Sequence, residues 1–362
     1  MSLKSVYINR TASFLPNQAV ENDDIESILG MVNNKPPKAR RVVLRMNGIK
    51  KRYYAIDRET GKCTHSNAKM AAEAIRNLCD DDFSLADMEC IACGTSSPDQ
   101  LLPSHGVMVH GELRNPNCEV ISTSGICASG MQAIKYGYLS VLCGETENAV
   151  CTGSELSGIG MKGNQFESEI QERIRELEKN PILAFEKDFL RWMISDGAGS
   201  VLLQNRPNSK GISLKLEWID ILSFANELPA CMYMGAKKTN DGNLTGFRMY
   251  TPQELVNDSV LSIKQDVKLL NEHIFPTAIK AYFMTQAKRK FKDEEIDYLL
   301  PHISSQYLGN ILDKVYQENG INIPVSKWFT NLETTGNIGS ASIFIILDEL
   351  FNSGNRSFTG RY

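Results

Sequence analysis

The chain has 362 residues, of which 42% are hydrophobic and 23% charged, with a formal net charge of −4 at pH 7. This length exceeds what one hydrophobic core usually supports, so we expect two domains or one domain built from two similar halves. The slightly acidic balance argues against a nucleic-acid-binding protein, which normally carries a basic face. The first residues lack the pattern of a signal peptide, and no segment approaches the ~20 apolar residues that cross a bilayer, so we expect no membrane association.

The nine cysteines are odd in number, and several lie in apolar segments typical of strands. This usage favours reduced thiols and a cytoplasmic protein over a disulfide framework. Cys90 and Cys93 form a CxxC pair, which could hold a metal ion. Residues three apart on a strand point to opposite faces, and no second CxxC follows. We therefore interpret both cysteines as packing residues and expect no metal site.

Predicted strands and helices alternate along the chain. A strand at 118–122 (CEVIS) leads into a helix over 127–142, and a strand at 147–155 (ENAVCTGSE) follows. Later, a strand at 296–302 (IDYLLPH) precedes a helix that ends near Gly320, and one more apolar helix follows. This alternation indicates βα units around a largely buried sheet.

Two pairs of similar segments indicate an internal duplication. Residues 83–97 (FSLADMECIACGTSS) and 291–305 (FKDEEIDYLLPHISS) both run from Phe through an acidic stretch and an apolar strand to Ser-Ser. Residues 123–129 (TSGICAS) resemble residues 334–340 (TTGNIGS). The two pairs lie at nearly the same offset, 208 and 211 residues. A chance match between such short segments is the alternative explanation.

The duplication predicts an N-terminal half over 1–210 and a C-terminal half over 211–362. Residues 163–180 (GNQFESEIQERIRELEKN) read as a charged amphipathic helix. Mixed charge at helical spacing is typical of an exposed face, so we predict a solvated helical insertion near 163–190.

Cys127 begins its predicted helix, whose next positions are the small residues Ala128, Ser129 and Gly130. A thiol at a helix N-terminus has its thiolate form favoured by the exposed amides and the helix dipole. Small neighbours also let a substrate carbonyl approach the sulfur and backbone N–H groups together. Cys127 is therefore a candidate nucleophile, and tight packing of the helix on the sheet is the equally weighted alternative.

His302 ends the predicted strand at 296–302, and Asn337 lies in the turn at 334–340. If the two halves superpose, both residues can reach the pocket of Cys127 from the second half, because ligand sites in such folds lie at the carboxyl ends of strands. A structural histidine and a turn-forming asparagine are the alternative interpretations.

The cysteine before its helix, "SDGAGSVLL" at 195–203, "PHISS" at 301–305 and "TTGNIGSASI" at 334–343 together resemble the β-ketoacyl-acyl carrier protein synthase III family of the thiolase superfamily. The resemblance covers nearly the whole chain, and the ordered combination is more specific than any one segment. It implies an α/β protein with the thiolase-like αβαβα five-layered fold, made from two duplicated halves, and a homodimer.

The resemblance also implies a decarboxylating condensing enzyme with a Cys127, His302 and Asn337 triad. Cys127 would accept an acyl group from acyl-CoA or an acyl carrier protein. His302 and Asn337 would stabilise the charge that develops when a malonyl-type thioester loses carbon dioxide. The implied partner is acyl carrier protein, the implied pathway is fatty acid or specialised lipid biosynthesis, and no metal or cofactor is expected beyond the phosphopantetheine arms of the substrates.

Several positions depart from the family pattern. Ser305 and Tyr307 replace positions that contact the coenzyme A arm in the priming enzymes, and Val42 stands where a tryptophan is expected. These differences fit an enzyme that takes longer acyl chains from a carrier protein, such as the dialkylresorcinol branch, which joins an acyl and a β-ketoacyl thioester. Leu102 falls where the family places a substrate-binding residue that reaches across the dimer into the partner's acyl pocket; a plain interface residue is the alternative.

Two further features concern the carrier protein and the chain end. The basic run Lys288, Arg289 and Lys290 is a candidate docking patch for an acidic carrier protein, although a solvated helix face is the more common explanation. In the family, two strands and a glycine-rich loop that supplies an oxyanion-hole amide follow the segment "ELFNSG", whereas this sequence continues only with "NRSFTGRY".

Three alternative functions fit the sequence less well. A biosynthetic thiolase would need a second catalytic cysteine in the C-terminal half, where only Cys231 is found. A synthase with a glutamate base fits the Gly336–Asn337 turn less well than an asparagine-dependent enzyme. A non-catalytic partner subunit normally lacks the nucleophile, and here Cys127 is present.

Overall fold

The structure is a computed structural model that describes residues 3–31, 40–166 and 190–353. Its strands are β1 Tyr7–Phe14, β2 Val20–Glu21, β3 Lys51–Arg52, β4 Cys90–Thr95, β5 Glu119–Ser124, β6 Asn148–Glu155, β7 Gly197–Gln204, β8 Leu214–Lys215, β9 Met232–Tyr233, β10 Ala236–Lys238, β11 Leu244–Gly246 and β12 Lys264–Gln265. Its helices are α1 Ile25–Leu29, α2 Arg40–Asn47, α3 Asn67–Arg76, α4 His105–Leu113, α5 Ser129–Cys143, α6 Pro252–Asn257, α7 Val267–Arg289, α8 Gln306–Glu318, α9 Leu332–Thr335 and α10 Ser342–Asn352. Most of the predicted charged insertion near 163–190 falls outside the described residues.

The first half is built on a six-stranded mixed sheet with the order β5-β4-β6-β7-β1-β8. Strand β4 pairs in parallel with both β5 and β6, whereas β6, β7 and β1 are joined by antiparallel pairs. Every residue of β4 and β6 is buried. A strand that is covered on both faces needs apolar or small residues at nearly every position. The sequences of β4 and β6 follow this pattern.

Helices cover both faces of this sheet. Helices α3 and α4 pack with one set of strand side chains, and α5 and α10 pack with the other set. Cys90 belongs to the cluster under α5 and α10, whereas Cys93 belongs to the cluster under α3 and α4. The prediction that the CxxC pair points to opposite faces and fills core positions is confirmed.

The second half adds the outer layers. Helices α7 and α8 pack over a cluster that includes Ile279, Ile323 and Trp328. Leu299 and Trp328 form a parallel bridge beneath these helices. Helix α10 faces both layers, because its Ile343 and Leu347 pack with the six-stranded sheet and line one cavity together with Tyr298 and Leu300. This layered α/β arrangement, with a mixed central sheet, agrees with the α/β fold class expected from the resemblance.

One predicted strand differs from the structure. Residues 296–302 were expected to form a regular strand, but only the isolated bridge at Leu299 forms within them. A strand needs neighbours on which to build a hydrogen-bonded ladder, and a two-segment pairing is marginal by itself. In contrast, the predicted strands at 118–122 and 147–155 and the helix over 127–142 are confirmed as β5, β6 and α5, within one or two residues at most ends.

The turn before α10 is pressed against the first half through backbone contacts. The Ser340 hydroxyl donates hydrogen bonds to the carbonyls of Gly94 (3.3 Å) and Ser154 (3.1 Å). A Cβ added at Gly130 or Gly153 would overlap the Ser340 carbonyl oxygen and approach Phe344 to 2.9 or 2.7 Å. Only glycine permits so close an approach of α5 and β6 to this turn.

Gly130→Ala should lower the free energy of unfolding by about 1–3 kcal/mol, because the added methyl group forces α5 away from the Ser340 turn. Denaturant unfolding of the wild type and the variant measures this difference. The matched control is Gly111→Ala within α4, where nothing lies within 4 Å of the added Cβ. Alanine favours a helix interior by up to about 1 kcal/mol over glycine, so this control should be neutral or stabilised. Equal stabilities for both variants would contradict the packing described here.

Within the described ranges, no helix combines the length and the apolar character needed to cross a membrane.

Candidate active site

Cys127 lies in the short connection between the carboxyl end of β5 and the first turn of α5. The backbone N–H and the hydroxyl of Ser129 both donate to the carbonyl of Ile126, at 3.0 and 2.9 Å. The Thr123 hydroxyl donates to the Ser129 carbonyl at 2.8 Å. These bonds fix a tight turn, so the Cys127 side chain is presented at the strand end by a rigid backbone.

The cavity beside this turn brings together the three predicted catalytic residues. Cys127, His302 and Asn337 all line it, and its volume is about 380 Å³. Most of the other wall residues are apolar, including Met193, Met232, Leu270, Phe275, Leu308 and Leu312. A concave apolar space with few polar groups is the usual form of a small-molecule site. The assignment of catalytic roles to the three residues stays a prediction, for which this shared location is the structural support.

His302 follows the Leu299 bridge at the carboxyl end of its segment and faces the cavity. Part of its surface is exposed where it lines the cavity. Burial lowers the pKa of His302 to about 4. The imidazole is therefore neutral at physiological pH and carries one N–H donor.

Asn337 is held by its own backbone and by the next residues of its turn. Its N–H donates to the Met193 carbonyl at 3.0 Å, and its carbonyl accepts from the Ser195 N–H at 2.9 Å. Its side-chain Oδ1 accepts a hydrogen bond from the Gly339 N–H at 3.0 Å. Because the oxygen of the amide is engaged in this way, the Nδ2 group is the end oriented for donation.

The "SDGAG" motif at 195–199 connects backbone segments through the carboxylate of Asp196. The buried carboxylate of Asp196 accepts hydrogen bonds from the N–H groups of Ala55 (2.9 Å), Ser157 (2.8 Å) and Gly158 (2.7 Å). Burial raises the pKa of Asp196 to about 6, although these three bonds oppose the shift. The motif thus ties the start of β7 to two loops, and its role here is structural.

The prediction that Cys127 has a favoured thiolate is wrong for this structure. Burial, together with the negative charge of Glu155, raises the pKa of Cys127 to about 12. The residue lies just before the N-cap Ala128 of α5. Without a substrate, Cys127 is therefore a neutral thiol.

Glu155 is a site residue that the sequence analysis missed. It is the last residue of β6, only 2% exposed, and its charge acts on Cys127. An acidic residue that closes an otherwise uncharged buried strand was the available signal, since buried carboxylates are rare unless they have partners. Cys231, whose position argued against a biosynthetic thiolase, also lines the cavity.

A second cavity of about 570 Å³ adjoins the first, and Ile126 lines both. Its walls are formed largely by apolar residues, among them Leu156, Met161, Met234 and Ile263. The polar side chains at its edge include Ser96 and Asp99, from the loop after β4. The residue before Cys127 therefore separates two spaces that could each accept part of a substrate.

Leu102 is not brought to the cavity of its own chain. It is 80% exposed, in a surface loop after β4. Ser305 caps α8, because its hydroxyl accepts a hydrogen bond from the Leu308 N–H at 3.2 Å. Tyr307 and Val42 are both exposed. The interpretation of Leu102 as a residue that reaches into a partner's pocket stays a prediction.

The candidate carrier-docking run is partly engaged within the chain. Lys288 and Arg289 each bind the carboxylate of Asp220, at 2.7 Å. These two cations hold the pKa of Asp220 well below its usual range. They lie in the last turn of α7, where positive charge also favours the helix dipole. Their intramolecular pairing weakens the case for a dedicated docking patch.

The chain is similar in sequence to proteins of one family. The family described as 3-oxoacyl-[acyl-carrier-protein (ACP)] synthase III C terminal matches residues 285–357. The chain is 23% identical over 346 residues to a beta-ketoacyl-[acyl-carrier-protein] synthase III of Clostridium perfringens, covering 94% of this chain and 89% of that protein. Both predicted residues of the second half, His302 and Asn337, lie inside the matched C-terminal segment.

Two solved structures show a similar fold. The tetronic acid condensing enzyme AbyA1 has a TM-score of 0.68 and 18% identity, covering 96% of this chain and 91% of that one. The 3-oxoacyl-[acyl-carrier-protein] synthase III of Aquifex aeolicus has a TM-score of 0.65 and 20% identity, covering 97% and 91%.

Proposed function

We propose that the chain is an acyl-transferring condensing enzyme of the β-ketoacyl-[acyl-carrier-protein] synthase III family, to which its segment 285–357 and most of its length are similar. An acyl group is first transferred to Cys127 and is then condensed with a malonyl-type thioester of a carrier protein, with loss of carbon dioxide. The observation that carries this proposal is that Cys127, His302 and Asn337 all line the same apolar cavity.

The first step forms a thioester on Cys127. The sulfur attacks the carbonyl carbon of the donor thioester, and the bond from that carbon to the donor sulfur breaks. The proton of the Cys127 thiol ends on the departing CoA or carrier-protein thiol, so atoms and charge balance. Because Cys127 is a neutral thiol in the free chain, its proton leaves as the new bond forms. The apolar cavity walls accommodate the acyl chain.

The second step uses His302 and Asn337 as hydrogen-bond donors. When a malonyl thioester loses carbon dioxide, negative charge develops on its thioester oxygen. The N–H of the neutral His302 ring and the Nδ2 group of Asn337 can donate to that oxygen. The resulting carbon nucleophile attacks the acyl-cysteine carbonyl, the carbon–sulfur bond breaks, and the Cys127 thiolate takes up one proton from solvent, which balances the proton that left with the donor thiol in the first step.

The two substrates carry phosphopantetheine arms, so the proposed partners are acyl carrier protein and acyl-CoA. We also propose a homodimer, in which the exposed Leu102 of each chain lies near the acyl site of the other. Neither chemical step requires a resident cofactor.

The second cavity favours one alternative function. An enzyme of the dialkylresorcinol type joins an acyl chain to a β-ketoacyl thioester, and both chains then need apolar space near the nucleophile. The cavities of about 380 and 570 Å³ on either side of Ile126 provide two such spaces. This alternative retains the acyl-enzyme on Cys127 and changes only the second substrate.

The proposed function predicts a covalent acyl-enzyme. Incubation of the protein with acyl-CoA and acyl carrier protein donors of graded chain length should increase its intact mass by one acyl group. Tryptic digestion places the adduct in the peptide 115–135, and fragmentation then separates Cys118 from Cys127. The adduct should be on Cys127 and should be released by hydroxylamine, which cleaves thioesters.

A matched control is available in the same cavity. Cys231→Ala removes the other thiol that lines the cavity and should leave the adduct unchanged. No adduct from any donor would refute the proposed function. Addition of a malonyl or a β-ketoacyl thioester to the acyl-enzyme then identifies the second substrate, since only the malonyl reaction releases carbon dioxide from that substrate.

A further inference from the structure

Glu155 connects the two halves of the active site through its buried carboxylate. Its Oε1 accepts hydrogen bonds from the N–H groups of Ser96 and Ser340, both at 3.1 Å. Its Oε2 accepts bonds from the hydroxyls of Ser96 and Ser97, at 2.7 and 2.6 Å. One side chain thus joins the end of β6, the loop after β4 and the turn before α10.

All four of these donors are uncharged. Removal of a carboxylate from water costs free energy, more than for a neutral amide of the same shape. When all its partners are neutral, well-formed hydrogen bonds have to offset that cost. Hydrogen bonds to a charged acceptor are shorter and stronger than those between neutral groups. The arrangement around Glu155 therefore forms a stiff connection between segments that are far apart in sequence.

The connection leads directly to Asn337. Gly339 lies against the Glu155 side chain, where an added Cβ would be 2.9 Å from Oε1 and 3.0 Å from Cγ. The φ angle of Gly339 is +49°, a left-handed conformation that favours glycine. The N–H of this same glycine donates to Asn337 Oδ1. The carboxylate thus holds the residue that orients the Asn337 amide.

The carboxylate also acts on the nucleophile. The charge of Glu155 contributes to the raised pKa of Cys127 and to that of Asp196. The other titratable groups that line the cavity are His302 and Cys231. Loss of the Glu155 charge should therefore ease ionisation of Cys127.

We propose that Glu155 is a positioning residue for the condensing reaction, which fixes the Ser340 turn and through Gly339 directs the Asn337 amide toward the substrate oxygen. This inference rests on the proposed function, because it assigns Glu155 a part in the decarboxylation step. It gives Glu155 no contact with the substrate. Acyl transfer to Cys127 does not need the Asn337 amide and should continue when Glu155 is replaced.

The test is a double-mutant cycle on malonyl-thioester decarboxylation with Glu155→Ala, Asn337→Ala and the double variant. If Glu155 acts through Asn337, Asn337→Ala should lower the rate by about 10²–10³-fold and Glu155→Ala by about 10–100-fold, and Glu155→Ala should cause little further loss in the Asn337→Ala background. A merely structural role would instead give losses that multiply. Glu147→Gln, at the exposed residue just before β6, is the matched control and should have the wild-type rate.

Glu155→Gln is the second variant, and it serves if alanine prevents folding. The glutamine oxygen can still accept from Ser96 and Ser340, so most of the decarboxylation rate should return. Its lost charge should shift alkylation of Cys127 by iodoacetamide, followed on the peptide 115–135, to lower pH.

The outcomes separate this inference from the proposed function. Multiplicative losses in the cycle would overturn the positioning role while wild-type activity persists. A wild-type protein that forms an acyl-enzyme with no donor and decarboxylates no malonyl thioester would overturn the proposed function, and this inference with it.

Discussion

Cys127→Ala should lower the rate of condensation by about 10⁴-fold or more, to the level of the uncatalysed reaction. The change removes the only atom that holds the acyl group between the two steps, and loss of a nucleophile has effects of this order or larger in other covalent enzymes. The measurement is formation of the β-ketoacyl product from the acyl donor identified by intact mass. Alanine is smaller than cysteine and fits the same turn, so the fold should be retained.

Decarboxylation gives the internal control for this variant. The donors His302 and Asn337 are untouched in Cys127→Ala, so the variant should still release carbon dioxide from a malonyl thioester. A variant that keeps full condensation would show that the acyl group is held elsewhere in the cavity, with Cys231 as the first residue to examine.

His302→Ala should show the opposite pattern. Removal of one preorganised donor to a developing oxyanion costs about 10²–10³-fold in rate, so malonyl decarboxylation and condensation should both fall by this factor. Acyl transfer to Cys127 should continue, because that step does not require the His302 donor in the proposed mechanism. His273→Ala is a suitable control, since His273 lies on α7 and is absent from the residues that line the cavity. Loss of acyl transfer with normal decarboxylation would contradict this assignment.

The pH dependence follows from the lowered pKa of His302. Its ring is neutral above about pH 5, because the folded-state pKa is about 4 rather than the ordinary 6.5. The decarboxylation rate of the wild type should therefore show no step near pH 6.5, and titration of His302 should appear only near pH 4. Since the unfolded chain binds a proton more readily between these two values, this residue lowers the stability of the fold as the pH falls from 6.5 toward 4.

The sequence was most informative where local patterns decide the structure. The turn between β5 and α5 was predicted from small residues around Cys127, and the buried strands β4 and β6 were predicted from their apolar runs. The location of His302 and Asn337 beside Cys127 followed from the repeat, a long-range argument that no local pattern supplies. The segment 296–302 was mispredicted because its regularity depends on neighbouring strands rather than on its own residues.

The electrostatics of the site could not be predicted from sequence. The pKa of Cys127 depends on its burial and on Glu155, which lies 28 residues away in the chain and reaches the site through the end of β6. The sequence shows that Cys127 is next to its own helix, but it does not show which distant residues approach the thiol. Its expected thiolate therefore rested on the helix dipole alone and omitted the stronger opposing effects.

The contact of the Ser340 carbonyl with Gly130 and Gly153 restricts how the protein can be re-engineered or can diverge. Contact between backbones leaves no side chain that could be trimmed to absorb a change, so a substitution at either glycine has to be accompanied by movement of a whole helix. The cavity walls differ, because Met193 and Met232 are unbranched and can adopt new shapes at small cost. We therefore expect substitutions that change the accepted acyl-chain length to occur at such wall residues. The contact of Ser340 with Gly130 and Gly153 should stay unchanged.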